Sequence, residues 1–167
     1  GGGWRLLGPR QALPEGDTWP KDAQAYCISR NGQPIAWLYL DLFARQGKRG
    51  GAWMADCRVR WRDMRGKLQL PVAFLTCNFT PPVDGKPSLL THDEVTTLFH
   101  EFGHGLHHML TQVEVMDVSG LNGVAWDAVE LPSQFTDTWF WNPESLALLA
   151  RHHETRETPP ATLRHHR

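Results

Sequence analysis

The sequence predicts an α+β fold in which a small antiparallel β-sheet is followed by helices. Apolar and alternating runs separated by glycine-containing turns dominate residues 25–80, which is typical of strands. From residue 91 onwards, apolar residues recur at spacings of mostly three and four, which is typical of amphipathic helices. The 167 residues suffice for one domain with its own core.

Three runs predict the strands of this sheet. Turns at residues 47–51 and 65–67 separate the runs, so a three-stranded antiparallel sheet is the simplest arrangement. Pro71 lacks a backbone N–H, and we expect it at a sheet edge or at the start of its strand. The three runs are residues 33–43, 52–61 and 68–79.

The first helix has a clear start signal. Thr91 and Glu94 have the spacing of a capping box, in which the Thr91 side chain caps the helix and Glu94 reaches back to it. The apolar stripe that follows predicts a helix from His92 to about Thr111.

Two further helices and the domain limits follow from the rest of the chain. A second helix is predicted from near residue 127 to about residue 141, and a third over residues 144–153. Residues 1–17 are rich in Gly and Pro and predict a loose arm. The domain is then expected over residues 18–157, with an irregular tail over 158–167.

Bulk composition excludes several function classes. The formal charge of -1 gives no electrostatic reason to expect binding to nucleic acid or an anionic membrane. No apolar run is long enough to span a bilayer, and the first 14 residues lack a signal-peptide pattern, so we expect a cytoplasmic protein. Its three widely spaced cysteines predict neither a disulfide framework nor a thiolate metal site.

A short motif on the first helix indicates metal chemistry. His100 and His104 are four residues apart, so their imidazoles lie on nearly one helix face and can reach one ion. Glu101 lies beside that pair, where it could hydrogen-bond a metal-bound water. The motif also arises by chance in helices whose histidines are surface or capping residues. Gly103 and Gly105 favour the metal site, because glycine in a helix is costly unless a ligand or another backbone comes close.

A catalytic zinc site needs a third protein ligand and one open position. His107 and Leu110 stand where the extended motif would require Gly and His, so the third ligand must come from elsewhere. We favour Glu130, because a helix capped by Asp127 would present it from its first turn, towards the histidine helix. The full candidate set is Glu114, Asp117, Asp127, Glu130 and Asp137.

Several longer motifs resemble one family. They are residues 100–108 (HEFGHGLHH), 118–120 (VSG) and 126–135 (WDAVELPSQF), with 39–45, 48–54 and 77–79 upstream. Together they resemble the thimet oligopeptidase family, and within it the bacterial oligopeptidase A branch, over roughly residues 19–157. The resemblance implies that this segment is part of a mostly α-helical, zincin-like catalytic domain.

The resemblance also implies an activity and residue roles. His100, His104 and Glu130 would bind one Zn2+ per chain, and Glu101 would be the general base that activates the zinc-bound water. The implied protein is a zinc metalloendopeptidase that hydrolyses short oligopeptides. A non-catalytic zinc or peptide-binding module is the alternative, but a purely structural ion has no need of Glu101.

Four residues have weaker functional hypotheses. Gly51 and Ala52 could belong to an edge strand whose backbone pairs with a peptide substrate, or to an ordinary turn. Asp127 could orient a ligand histidine, or only cap its helix. His107 could contact substrate or support the metal site, or only pack through hydrogen bonds.

Family members are several times longer than this chain. Their oxyanion-stabilising tyrosines and histidine lie well downstream of the third ligand, and here no Tyr follows Glu130. We therefore expect an internal fragment on which the missing remainder of the peptidase packs. An inactive or poorly folded fragment is the main alternative interpretation for this polypeptide on its own.

Overall fold

A mixed β-sheet with helices packed on one side forms the described part of the chain, which is residues 4–7 and 23–149 of a computed structural model. The strands are β1 (Trp4–Leu7), β2 (Gln24–Arg30), β3 (Gln33–Phe43), β4 (Trp53–Arg58), β5 (Trp61–Arg62), β6 (Leu68–Gln69) and β7 (Val72–Phe79). The helices are α1 (His92–Leu110), a 3₁₀ turn (Met116–Val118), α2 (Leu131–Trp139) and α3 (Pro143–Leu149). No helix in these described ranges is long and apolar enough to cross a membrane.

The sheet has five strands in the order β1–β2–β3–β7–β4, and the prediction of a three-stranded antiparallel sheet is wrong. β7 lies between β3 and β4, parallel to β3 and antiparallel to β4. β7 is the most continuously buried strand, whereas the second half of β4 is exposed. Burial on both faces favours a central position, which explains why β7 separates the two strands that precede it in the sequence.

Two of the five strands were not assigned from the sequence. β2 and β3 form a hairpin through Asn31 and Gly32, whose φ angles of 53° and 79° are those of a type I′ turn. The Asn-Gly pair was the available signal for this hairpin. β1 lies inside the segment that we predicted as a loose arm, and it pairs with β2. The predicted limits 1–17 and 158–167 otherwise remain predictions, since residues 8–22 and 150–167 lie outside the described part.

The two longer predicted strands are each interrupted. The run over residues 52–61 breaks after Arg58, and the run over 68–79 breaks before Pro71, so β5 and β6 pair as a separate two-stranded sheet. Pro71 stands directly before β7, which confirms its predicted place at the start of a strand. Its carbonyl accepts a hydrogen bond from the backbone N–H of Trp37 at 3.0 Å.

The hydrophobic core lies between the sheet and α1. Met109 of α1 is fully buried against side chains of β3 and β7, with Leu98 and Phe102 packed at the margin. Burying these apolar side chains stabilises α1 on the sheet much more than its intrinsic helix propensity does. The buried strand residues of this core include Leu38, Ala73, Leu75 and Cys77.

The limits of α1 agree closely with the prediction. The Glu94 N–H lies 3.2 Å from Thr91 Oγ1, and the Thr91 N–H donates to Glu94 Oε2 at 2.8 Å, which confirms the capping box. The helix ends at Leu110, one residue before the predicted limit.

A buried histidine ties the end of α1 to the sheet. His108 is 0% exposed, and its Nε2 lies 2.8 Å from the backbone oxygen of Arg58, at the end of β4. Gly120 packs directly on this ring, since a Cβ at residue 120 would lie 2.5 Å from His108 Nδ1. His108 therefore fixes α1 relative to β4, a role that the sequence analysis did not assign.

The second and third helices differ from prediction at their starts. α2 begins at Leu131 rather than near Asp127, and Glu130 is its N-cap residue. Pro132 lies in the first turn, where its missing N–H costs no helical hydrogen bond, and this favours a start at that point. α3 begins one residue earlier than predicted, and the predicted end at residue 153 lies outside the described residues.

Candidate metal centre

The helices α1 and α2 come into close contact at Gly103. A Cβ at this residue would lie 2.7 Å from Ser133 Cα, 2.7 Å from Thr136 Oγ1 and 2.8 Å from the Pro132 oxygen. Two of these atoms are backbone, so α2 could not stay in place beside any larger residue. This confirms that Gly103 permits a close backbone approach. Gly105 does not need such an explanation, because a Cβ there would meet only the end of the Met109 side chain, at 3.6 Å.

We predict opposite stability changes for alanine at these two glycines. Gly103→Ala should lower the free energy of unfolding by about 1–3 kcal/mol, because α2 must move away. Gly105→Ala should leave it unchanged or raise it by up to about 1 kcal/mol, since alanine is the better helix former. Urea unfolding followed by circular dichroism measures both, and equal stability changes in the two variants would contradict the close contact at Gly103.

The crossing of α1 and α2 brings three predicted residues together. His100 and His104 lie on one face of α1, with ring centroids 5.0 Å apart. Glu130 Oε2 is 3.2 Å from the Nε2 atoms of both His100 and His104. One potential ligand atom from each residue lies within 4.8 Å of the other two. The sequence-predicted ligand set therefore converges in space.

The geometry of this set fits a zinc ion. Two ligands at 2.0–2.1 Å from one tetrahedral ion lie about 3.3 Å apart, close to both measured separations from Glu130. Two imidazole nitrogens and one carboxylate oxygen are donors that zinc accepts in catalytic sites. The Glu130 side chain is 48% exposed, so the meeting point of the three donors is accessible from outside.

Ser133 holds the Glu130 carboxylate in position. Its buried hydroxyl lies 2.8 Å from Glu130 Oε2 and 2.9 Å from the Glu130 backbone oxygen. This hydroxyl, together with the imidazoles of His104 and His100, keeps the pKa of Glu130 below its ordinary value, against a smaller opposing effect of burial. The carboxylate is thereby favoured in the charged form that a metal requires. Ser133 was missed in the sequence, because the predicted start at Asp127 did not place Glu130 at the N-cap with Ser133 in the first turn.

The carboxylate beside His100 Nδ1 belongs to Asp137 and not to Asp127. Asp137 Oδ2 lies 3.2 Å from His100 Nδ1. Asp127 is exposed and lies in the turns that precede α2, because the helix starts four residues later than predicted. The structure therefore corrects the suggested role of Asp127 in orienting a ligand histidine.

Two other candidates for the third ligand lie elsewhere. Glu114 forms ion pairs with Arg60 and Arg62 at 2.7 and 2.6 Å. The hydrogen bond from Arg62 is the largest cause of the lowered pKa of Glu114. Asp117 belongs to the 3₁₀ turn and is exposed. Neither residue is part of the His100–His104–Glu130 cluster.

Glu101 follows His100 on α1, rotated by about 100° around the helix axis. It is half-buried, and no hydrogen bond to its carboxylate occurs within residues 4–7 and 23–149. Burial and, to a smaller degree, the charge of Glu101 raise the pKa of Cys77 to about 12.

The remaining predicted site residues lie near the metal cluster or near the sheet edge. His107 is half-buried one turn after His104, and burial together with the neighbouring His104 and His108 lowers its pKa. Gly51 and Ala52 lead into β4, which is an edge strand of the sheet. The Asn78 amide donates to the backbone oxygens of Arg49 and Gly51, at 2.8 and 2.7 Å, and so holds this loop.

Comparison with known proteins identifies the family. The pattern of Peptidase family M3 matches residues 6–167. The chain belongs to this family. The match confirms the predicted membership of the thimet oligopeptidase family, and the similarity to oligopeptidase A confirms the predicted branch.

Curated relatives agree with this family. The chain is 59% identical to oligopeptidase A of Haemophilus influenzae over 145 residues, which is 86% of this chain and 21% of the relative. It is 57% identical to oligopeptidase A of Escherichia coli over 148 residues, which is 88% of this chain and 22% of the relative. A dipeptidyl carboxypeptidase of Salmonella typhimurium is 41% identical over 133 residues, which is 80% of this chain and 19% of the relative. The chain thus spans about a fifth of the length of these relatives.

Proposed function

We propose that the protein is a zinc metalloendopeptidase that hydrolyses short oligopeptides, with one zinc ion held by His100, His104 and Glu130. The observation that carries this proposal is the meeting of three donor side chains from two helices, with both imidazole Nε2 atoms 3.2 Å from the Glu130 carboxylate. Three protein ligands are the number expected for a catalytic site, whereas structural zinc sites have four.

The chemistry divides between the ion and the protein. A zinc ion held by these three residues would supply a Lewis acid that polarises the scissile carbonyl and makes an attacking water more acidic. Glu101 accepts the proton of that water during attack and then carries it to the leaving amine. The Ser133 hydroxyl holds the Glu130 carboxylate in place, and the packing of α1 on the sheet holds the helix that carries His100 and His104.

The edge strand β4 supplies a place for the peptide. β4 pairs with β7 along one edge and has no neighbouring strand of the described five-stranded sheet along its other edge. An extended peptide could add to this open edge by backbone hydrogen bonds. Gly51 and Ala52 stand at the entrance to this edge, and Gly51 has a φ of 98° that favours glycine. We propose that these two residues contact substrate.

The remainder of the polypeptide covers an apolar surface of this segment. Between α1, α2 and α3 lies an aromatic groove of about 400 Å³, lined by Phe99, Phe102, Phe135 and Trp139 among others. Phe135 and Trp139 are 62% and 57% exposed. Contiguous exposed apolar surface is rarely left open in a stable protein. The relatives are about four times as long as this chain, which supplies the chain that could cover the groove.

Cleavage preference resides outside this segment. The same segment is similar to proteins named oligopeptidase A and dipeptidyl carboxypeptidase, which supports a cleavage preference set mainly by the remainder of the polypeptide. The donors that stabilise the oxyanion are also proposed to lie in the remainder, which makes low activity of the isolated segment the expected result. The free cysteines at Cys27, Cys57 and Cys77 fit a reducing compartment, in agreement with a cytoplasmic protein.

Metal analysis with a peptide assay tests this function. The purified chain should contain one zinc ion, lose it to a chelator and regain it on addition of zinc. The full-length protein should hydrolyse an internally quenched fluorescent oligopeptide in the same metal-dependent way. A folded chain, as judged by circular dichroism, that binds no zinc would overturn the proposal. Metal-independent hydrolysis by the full-length protein would also overturn it.

A further inference from the structure

His100 is held between two carboxylates that come from one side of α2. Its Nε2 lies 3.2 Å from Glu130 Oε2, and its Nδ1 lies 3.2 Å from Asp137 Oδ2. Glu130 is the N-cap residue of α2, and Asp137 follows two turns later, so the two carboxylates lie on the same face of the helix. One helix therefore faces both nitrogens of a single imidazole.

A neutral imidazole cannot donate a hydrogen bond to both carboxylates at once. A neutral ring has one N–H donor and one lone pair, on opposite nitrogens. If Nδ1–H donates to Asp137, the lone pair of Nε2 points to the meeting place of His100, His104 and Glu130, where a cation satisfies it. The opposite tautomer would turn two acceptors toward each other at Nδ1. The carboxylate of Asp137 therefore selects the tautomer that can bind a metal.

The two ligand histidines differ in this respect. His104 Nδ1 is buried and has no hydrogen-bond partner within the described ranges. His100 alone of the pair has a carboxylate on its second nitrogen. Asp137 is itself half-buried, and its Oδ1 is buried without a partner among the same residues. A carboxylate kept in such surroundings has a cost, which is easiest to explain by a functional contact.

We propose that Asp137 is a positioning residue, which fixes the tautomer and ring orientation of His100 and so sets the affinity of the site for zinc. The inference rests on the proposed zinc site. Asp137 does not touch the ion, since its carboxylate lies at the ring nitrogen that points away from the cluster. Carboxylates that act on a metal through a histidine typically contribute 10–100-fold to affinity.

Zinc dissociation constants of the full chain test this role, measured by competition with a chromophoric chelator. Asp137→Ala should bind zinc about 10–100-fold more weakly than the unaltered chain. Asp137→Asn should lose less, because the amide oxygen can still accept from Nδ1–H. Asp127→Ala is the matched control, an exposed aspartate near the same helix, and should change affinity by no more than about twofold.

A spectroscopic measurement separates positioning from general structure. In the zinc-loaded chain, ¹⁵N spectra of the histidines should show His100 protonated at Nδ1, and in Asp137→Ala this proton should exchange faster with water. Unchanged zinc affinity and unchanged exchange in Asp137→Ala would overturn the inference while leaving the proposed function intact. Equal weakening in Asp127→Ala would also overturn it. If Asp137→Ala does not fold, Asp137→Ser decides, because its side chain is too short to reach His100 Nδ1: affinity equal to that of the unaltered chain overturns the inference. Absence of zinc binding by the unaltered chain would instead refute the proposed function.

Discussion

Glu101→Gln in the full-length protein is expected to remove peptide hydrolysis while zinc stays bound. Glutamine has the shape of glutamate but cannot accept the proton of the attacking water, and such a base typically contributes 10²–10⁴-fold to the rate. Glu101 lies next to His100 on α1 without belonging to the His100–His104–Glu130 cluster, so metal content should not change. The turnover number and the zinc content of the same preparation measure the two effects.

Asp93→Asn is the matched control for this variant. Asp93 is an exposed acid in the first turn of the same helix and should be replaceable with little effect on turnover. Near-normal hydrolysis by Glu101→Gln would remove Glu101 from the mechanism. Loss of zinc from that variant would show that Glu101 supports the metal instead.

Glu130→Ala is expected to weaken zinc binding by more than about 100-fold, beyond the range for residues that act through a ligand. The variant removes one of three donors, and the remaining pair of histidines cannot define a catalytic site. Isothermal titration with zinc measures the loss. The fold should survive, because the Glu130 backbone oxygen still accepts from Gln134 N–H at 2.9 Å.

Two further variants make the assignment of Glu130 specific. Asp117→Ala removes another of the carboxylates considered as third ligand and should bind zinc normally, since Asp117 lies outside the cluster. Glu130→Asp withdraws the carboxylate by about one bond length and should give an intermediate affinity. Stoichiometric, tight binding by Glu130→Ala would show that another side chain is the third ligand.

Sequence signals within a single segment predicted α1 well. The capping box, the apolar stripe and the histidine spacing are encoded within the segment from Thr91 to Leu110, and the structure has the same helix within one residue. Gly103 was also interpretable, because a helical glycine suggests close contact even before the partner is known. The sequence could not say that the partner would be the backbone at Pro132 and Ser133.

Non-local pairing explains most of the differences. The sequence order of the strands suggested hairpins, but β7 is inserted between β3 and β4. The strand order depends on which strand is stabilised most by burial of both its faces, and the sequence of one strand alone does not show this. The start of α2 was misplaced because Asp127 is a good capping residue, yet the N-cap position is occupied by Glu130, whose side chain makes no capping hydrogen bond.

The roles of Ser133 and Asp137 depend on how two helices cross. Both residues lie on the face of α2 that meets α1, but the sequence does not give the crossing or its depth. The contact of Gly103 with Ser133 and the contact of His100 with Asp137 both depend on this crossing, so neither could be deduced from the sequence. Residues that contact the candidate ligands are therefore harder to predict than the candidate ligands themselves.

The position of Glu130 at the N-cap of α2 has an electrostatic consequence for the proposed zinc site. The amino end of a helix has a partial positive charge, which stabilises a carboxylate but repels a cation. This end of α2 favours the anionic form of Glu130 without any ion. In the proposed zinc complex, the same carboxylate would lie between the ion and the amino end of the helix and would reduce the repulsion between them.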